Sequence, residues 1–238
     1  QILSIDIADV DIGRNIGAKE GKKLTTSCCP AFVNLIKKQY PELAEHISTT
    51  ISPMFALSRL LKSEDPDTIT VFIGPCIAKK NEKQEYKGQG NADFVLTIGE
   101  FRAMMRAKEV ILEPEENSDQ QASIFGKRFG NGGGVSAAVA QCMREAGADP
   151  DKFNVEKCSG AVECKKALTL LKVGKLPADF IEGMICEGGC VGGPSRHRSG
   201  KNAVLAAKDR DKLLSEADDR NVSDNLSKYD LTAFSMHK

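Results

Sequence analysis

The stretch from Phe180 to Pro194, Phe-Ile-Glu-Gly-Met-Ile-Cys-Glu-Gly-Gly-Cys-Val-Gly-Gly-Pro, constrains this chain more than any other. Phe180 to Ile185 is largely apolar and predicts a buried strand. It opens directly onto two thiols, Cys186 and Cys190, separated by Glu187, Gly188 and Gly189. With Gly192 and Gly193, these glycines let backbone N–H groups approach something bulky without Cβ obstruction. A Cys-x-x-x-Cys pair alone does not separate a metal site from chance. Its weight comes from Cys29 and Cys76, each at a helix start or at the end of a short apolar segment. Four thiolates from three loops make the ligand count of an iron–sulfur cluster or of a structural zinc.

Composition narrows the setting. At 238 residues the chain can bury a real core, as one domain or two small ones. Its 33 basic and 33 acidic residues leave no net charge to draw it to nucleic acid or an anionic membrane. No apolar run approaches the roughly 20 residues needed to span a bilayer, and no signal-peptide pattern is present. Eight cysteines could form four disulfides, but Cys28 and Cys29 are adjacent and a chain this size needs no staples. Reduced thiols in a cytoplasmic protein, with metal ligation, are the expectation. The first residue is Gln1 rather than Met, so a piece of a longer protein is expected.

Taken in order, Gln1 to Ile12 alternates apolar and acidic residues, as a strand or helix edge would, and Gly13 to Lys23 reads as a loop. Thr25-Thr26-Ser27-Cys28-Cys29-Pro30 then leads into a helix whose apolar positions are Phe32, Val33, Leu35 and Ile36. Cys28 and Cys29 thus sit at a helix N-terminus, where the dipole favours thiolate. A second helix is predicted from about Pro53 to Leu61. Thr68 to Ile73 reads as a strand buried on both faces, emptying into Gly74-Pro75-Cys76. Phe94 to Thr97 repeats the strand pattern before a helix through Phe101, Met104 and Met105. Residues 113–121 read as a polar loop. Phe129-Gly-Asn-Gly-Gly-Gly-Val135 opens an alanine-rich helix over about Ser136 to Glu145. No strand leads straight into that glycine run and no Gly-Lys-Ser/Thr follows, which argues against a nucleotide. Val155 to Cys158 predicts a strand, and Val162 to Lys172 a helix with Val162, Ala167, Leu168, Leu170 and Leu171 on its apolar face. Cys142 reads as a small buried residue, and core positions are the favoured reading of Cys158 and Cys164. Beyond Pro194 come basic residues Arg196, His197, Arg198 and Lys201, then a charged helix to about Glu216. Strands alternating with helices argue for an α/β architecture whose site gathers beyond the carboxyl ends of the strands.

Three motifs stand in one order: Thr26-Ser27-Cys28-Cys29-Pro30, Gly74-Pro75-Cys76-x-x-Lys79-Lys80-x-Glu82, and Glu182-x-Met184-x-Cys186-x-Gly188-Gly189-Cys190-x-Gly192-Gly193. Together they resemble the three cysteine signatures of the FeFe (iron-only) hydrogenases. Ser48-Thr-Thr-Ile-Ser-Pro53 and Phe129 to Val135 carry the likeness between them, so it covers most of residues 26–194. Phe32 where the family often has Trp, Gly74 where it often has Met, and Pro194 closing the third motif mark a divergent subgroup.

The resemblance implies an iron-only hydrogenase-like α/β fold, with parallel or mixed sheets flanked by helices and the cluster between two lobes. The lobes would comprise about 1–60 with 175–238, and 61–174. It implies the C-terminal part of the catalytic domain, with the N-terminal part lying outside this chain. The implied cofactor is the H-cluster, a 4Fe-4S cubane joined to a diiron unit that carries CO, cyanide and a bridging dithiolate. By residue match Cys29, Cys76, Cys186 and Cys190 would hold the cubane, Cys190 also bridging to the diiron unit. Cys28 would pass protons, and Lys79 would donate to an iron-bound cyanide. Met184 would pack beside the bridging ligands, while Glu82 and Ser48 would carry protons outward. The implied activity is that of a ferredoxin hydrogenase, the reversible reduction of protons to H2. Electrons would come from ferredoxin or N-terminal iron–sulfur domains, and maturation proteins would build the diiron unit. This stretch by itself is then expected to be inactive and to lack that unit. Competing readings are a hydrogen sensor of low turnover using the same cofactor, and a structural module stabilised by zinc or a cluster.

Overall fold

The computed structural model describes residues 23–111, 123–196, 221–224, 229–230 and 232–238. The edge expected at Gln1–Ile12, most of the following loop, the polar loop 113–121, and the basic and helical tail from His197 to Glu216 lie outside these residues.

The chain enters through β1 (Leu24–Thr25) and turns at Cys28 and Cys29 into α1 (Pro30–Gln39). Cys29 is the cap residue and Pro30 opens the first turn, where its missing N–H costs nothing. Phe32, Val33 and Ile36 form the buried face of α1, and Lys37 and Lys38 face the dipole at its end. A 3-10 turn (Pro41–His46) leads through Ser48 to α2 (Pro53–Glu64), where the Ser52 hydroxyl accepts from the Phe55 N–H at 3.4 Å.

Next come β2 (Val71–Gly74), α3 (Ala78–Glu85), β3 (Phe94–Thr97) and α4 (Ile98–Ala107). Thr97 and Glu100 form a capping box at the start of α4, each side chain bonding the other's backbone N–H. After a short helix α5 (Ile124–Arg128), the glycine run opens α6 (Gly134–Glu145). The remaining elements are β4 (Val155–Ser159), α7 (Ala161–Lys172) and β5 (Phe180–Met184).

Among the described residues two sheets form, and every strand pair in them is parallel. The first runs β1-β5-β4, with Leu24 and Val155 both opposite Phe180. Its centre, β5, is buried at every position, as a continuous apolar run requires. The second pairs β2 with β3 from Val71–Phe94 to Gly74–Thr97. β4 lies in the stretch 61–174 that a two-lobe division would set apart from β1 and β5, yet it completes their sheet. The reason is parallel topology: the crossover through α7 returns the chain beside β4, so β5 slots between β4 and β1.

Phe32, Ile36, Ile51, Phe55, Leu168, Phe180 and Ile181 are fully buried and form the centre of the core, each contributing about 1.5–3 kcal/mol of hydrophobic stabilisation. Cys142, Cys158 and Cys164 are also buried in this core, where small soft side chains are expected. Two readings of faces are corrected. The strand at Thr68–Ile73 is present from Val71, but Val71 and Ile73 are half exposed, because the two-stranded sheet has no described strand beyond β2. Val162 is 82% exposed, since α7 starts at Ala161 and buries the face made by Cys164, Ala167, Leu168 and Leu171.

Candidate functional site

The carboxyl ends of β1, β2 and β5 carry the loops that hold Cys29, Cys76 and Cys186, and β4 ends on Ser159. In parallel sheets this edge is where ligand sites form, because loops fan out from it and helix N-termini converge on it. The loops are tied together by backbone bonds. The Pro75 carbonyl, next to Cys76, accepts from the Ser195 N–H at 3.1 Å. The Gly130 carbonyl accepts from the Cys190 N–H at 2.7 Å, and the Gly132 N–H donates to Gly188 at 3.1 Å. Ser159 closes the ring, its hydroxyl accepting from the Gly188 N–H at 2.8 Å. Gly189 has φ +88°, and a side chain there would drive into the Gly130 carbonyl.

All eight cysteines are free thiols. Burial raises Cys29 above its ordinary value, the backbone N–H groups of Ile185 and Phe32 oppose the rise, and Cys76 adds to it. Burial likewise raises Cys186, helped by Cys29 and Cys76 and opposed by the Arg196 guanidinium. Cys190 is pushed up to about 11 by burial and by Cys29, with Lys79 pulling the other way and Cys76 and Cys186 adding to the rise. Each of these four thiols is therefore within electrostatic reach of the other three. Among the described residues, no three His, Cys, Asp or Glu side chains are grouped tightly enough to hold a single ion. A cubane asks for a wider arrangement, since each thiolate takes a different corner iron. The donor set, four soft sulfurs within electrostatic reach of one another in glycine-rich loops, is of the kind a 4Fe-4S cluster takes.

Cys28 lies beside these thiols. Burial pushes its thiol up strongly, and Cys29, Glu182 and Cys190 add to the rise against the pull of Lys79. The expectation that the start of α1 favours thiolate at Cys28 is thus corrected: loss of water around a buried thiol outweighs the dipole of a ten-residue helix. Lys79 and Glu82, one turn apart on α3, form a buried ion pair with Nζ to Oε2 at 2.7 Å. The same ammonium also reaches the Cys28 carbonyl at 3.5 Å. The other carboxylate oxygen, Glu82 Oε1, is buried with no hydrogen-bond partner. Met184 is buried at the end of β5, and its carbonyl accepts from the Gly160 N–H at 2.8 Å and the Cys164 thiol at 3.6 Å. Ser48 is buried beside β1. Its N–H donates to Thr25 at 2.9 Å and its hydroxyl accepts from the Thr50 N–H at 3.1 Å. Cys28, Lys79 and Glu82 are thus brought together next to the four thiols, with Met184 and Ser48 buried on flanking segments.

Glu182 escaped the sequence reading as a working residue. It lies on β5 at 1% exposure, and its two carboxylate oxygens accept from the N–H groups of Gly133 and Ser136, both at 2.8 Å. A glutamate inside an apolar strand was the available signal, because a buried carboxylate must find donors.

Three comparisons bear on this arrangement. The family described as iron only hydrogenase large subunit, C-terminal domain, matches residues 11–194. The periplasmic [Fe] hydrogenase large subunit of Nitratidesulfovibrio vulgaris is 33% identical over 231 residues, covering 78% of this chain and 53% of that protein. Cytosolic Fe-S cluster assembly factor NAR1 of Kluyveromyces lactis is 34% identical over 103 residues, 43% of this chain and 22% of that one. Among solved structures, a variant of [FeFe]-hydrogenase HydA1 from Chlamydomonas reinhardtii superposes with a TM-score of 0.72 at 20% identity, covering 95% of this chain and 76% of that one. The chain thus spans about half the length, or less, of these curated relatives. No helix among the described residues is long and apolar enough to cross a membrane.

Proposed function

This chain belongs to the family of iron-only hydrogenase large subunits, in their C-terminal domain, and on that footing we propose that it is the cluster-binding part of an enzyme that reversibly reduces protons to H2. In this reading Cys29, Cys76, Cys186 and Cys190 would hold a 4Fe-4S cubane, with Cys190 also serving the diiron unit. When bound, the H-cluster supplies the electrons and the place where they meet protons. The protein does the rest. Cys28 holds a proton at its sulfur in water-poor surroundings, ready to give and retake it. Lys79 would offer its ammonium to an anionic ligand of the diiron unit while Glu82 balances its charge. The orphan oxygen of Glu82 can take up a proton leaving Cys28, and Ser48 extends the route outward. Met184 keeps water from the iron side. Electrons arrive from ferredoxin-type donors or from iron–sulfur domains elsewhere in the protein, and maturation proteins insert the diiron unit in the cytoplasm.

The observation that carries this reading is the Lys79–Glu82 pair against the Cys28 carbonyl, within electrostatic reach of Cys190 and its neighbouring thiols. A cluster held only for structure has no chemical need of a buried ammonium beside it. The test is maturation of the full-length protein, followed by infrared spectroscopy and a hydrogen assay. Iron-bound CO and cyanide bands together with H2 turnover are expected. A second reading, cluster carriage without turnover, is favoured by the relatives named as cytosolic Fe-S cluster assembly factors. Uptake of the cubane with neither bands nor H2 would overturn the first reading in favour of the second.

A further inference from the structure

We infer that Glu182 is a positioning residue for the cluster: from β5 it ties the start of α6 to the cysteine loop, and so presents Cys190, while setting its carboxylate on the strand that leads into Cys186. The inference rests on the reading that the four cysteines carry a cubane. Its basis is a continuous chain of contacts. Oε1 of Glu182 accepts from the Gly133 N–H and Oε2 from the Ser136 N–H, both at 2.8 Å, across the first turn of α6. Ser136 adds a third bond, its hydroxyl donating to the Gly133 carbonyl at 3.1 Å. The turn held in this way is the one that reaches the cysteine loop. Gly130 receives the Cys190 N–H at 2.7 Å, Gly132 donates to Gly188 at 3.1 Å, and Asn131 and Gly189 form an antiparallel bridge.

A helix cap could be made by a serine on the helix itself, so the strand glutamate is an unusual choice. Its effect is to lock α6, the glycine turn and Cys190 to the central strand of the first sheet. It also sets a carboxylate, held by two N–H donors and the positive end of α6, on the strand that leads into Cys186. A buried negative charge near a cluster disfavours its more negative, reduced form, so it lowers the reduction potential.

The test uses the full-length protein, wild type and Glu182→Gln, reconstituted anaerobically with iron and sulfide. The amide has the same size but is neutral, and its NH2 would face one of the two N–H donors. Circular dichroism and melting of the metal-free protein report the fold. Cluster retention against a chelator is expected to fall about 10–100-fold, as with other groups that support metal ligands from behind. The remaining cubane, titrated by EPR, should reduce at a more positive potential. Glu182→Asp keeps the charge but is a methylene short, so it should lose retention while titrating close to wild type. That second variant also decides the matter if Glu182→Gln fails to fold. Full retention in Glu182→Asp, or in folded Glu182→Gln, would overturn the proposal. Reduced retention in Glu182→Gln with an unchanged potential would overturn it too, leaving Glu182 a structural cap. A wild-type protein that takes up no cluster would remove the cubane reading and this proposal with it.

Discussion

Cys28 and Cys29 are neighbours in sequence with different surroundings. Cys29 receives two backbone N–H groups and lies within electrostatic reach of Cys76, Cys186 and Cys190, whereas the Cys28 carbonyl meets Lys79 and its thiol is held neutral by burial. Substituting each by alanine in the matured full-length protein separates their roles. Cys29→Ala should lose the iron, and Cys28→Ala should keep it while H2 turnover falls about 10²–10⁴-fold, the usual share of a proton-transfer group. Paired iron analysis and gas assay check both at once. If Cys28→Ala keeps its full rate, protons travel by another route. The Lys79–Glu82 pair makes a separate prediction about stability. Glu82→Ala strands a buried ammonium, so the midpoint of chemical denaturation should drop by the equivalent of about 3–5 kcal/mol. The motifs placed these residues at the right loops. They could not reveal that Cys28 is held protonated, since burial and the added charges of Glu182 and Cys190, distant in sequence, come together only in the fold.

At the scale of elements, α1 is pinned to β5 by a side chain seated on bare backbone. The Phe32 ring is fully buried and occupies the space where a Cβ on Gly183 would stand. Gly183 also donates its N–H to the Thr26 hydroxyl at 3.1 Å, so β5 is drawn toward the start of α1 from two sides. Gly183→Ala should therefore be destabilising by about 1–3 kcal/mol or more, the range for overpacking a rigid core. Phe32→Leu in the same chain should recover part of the loss, because the smaller side chain can give way. Thermal melts of the single and double variants measure the coupling. Local pattern predicted these elements well where packing and periodicity agree. α1, α2, β3, β4 and β5 lie close to where their apolar residues put them, and Pro30 and Pro53 mark true starts. It failed where burial is decided by a distant neighbour. The β-branched run at Thr68–Ile73 has the composition of a central strand, but Val71 and Ile73 remain half exposed.

For the molecule as a whole, the titration of the metal-free protein gives a direct test of the thiol cluster. Cys190 ordinarily titrates at 9.0 and is raised to about 11, and Cys29 and Cys186 move in the same direction. A folded thiol that keeps its proton after the unfolded chain has lost it makes stability fall with pH. Its contribution is fully present below 9.0 and is lost as pH rises through about 11. The urea midpoint of the metal-free protein should decline across that window, and the decline should be shallower in Cys190→Ala. An equal slope in both would mean that its neighbours do not hold the proton on this thiol. The strand and helix alternation made an α/β fold legible, but not the division into sheets, because the insertion of β5 between β1 and β4 depends on pairings far apart in sequence. That division has a mechanical side. Cys29 and Cys186 follow strands of the three-stranded sheet, whereas Cys76 follows a strand of the two-stranded one. A cluster joining them would be a cross-link between the sheets, closing two long loops of chain at a single knot. The entropy removed from the unfolded chain by such a closure grows with loop length. Taking the iron away should then slacken the seam between the sheets before either sheet melts, and amide exchange would register it first along β2 and β3.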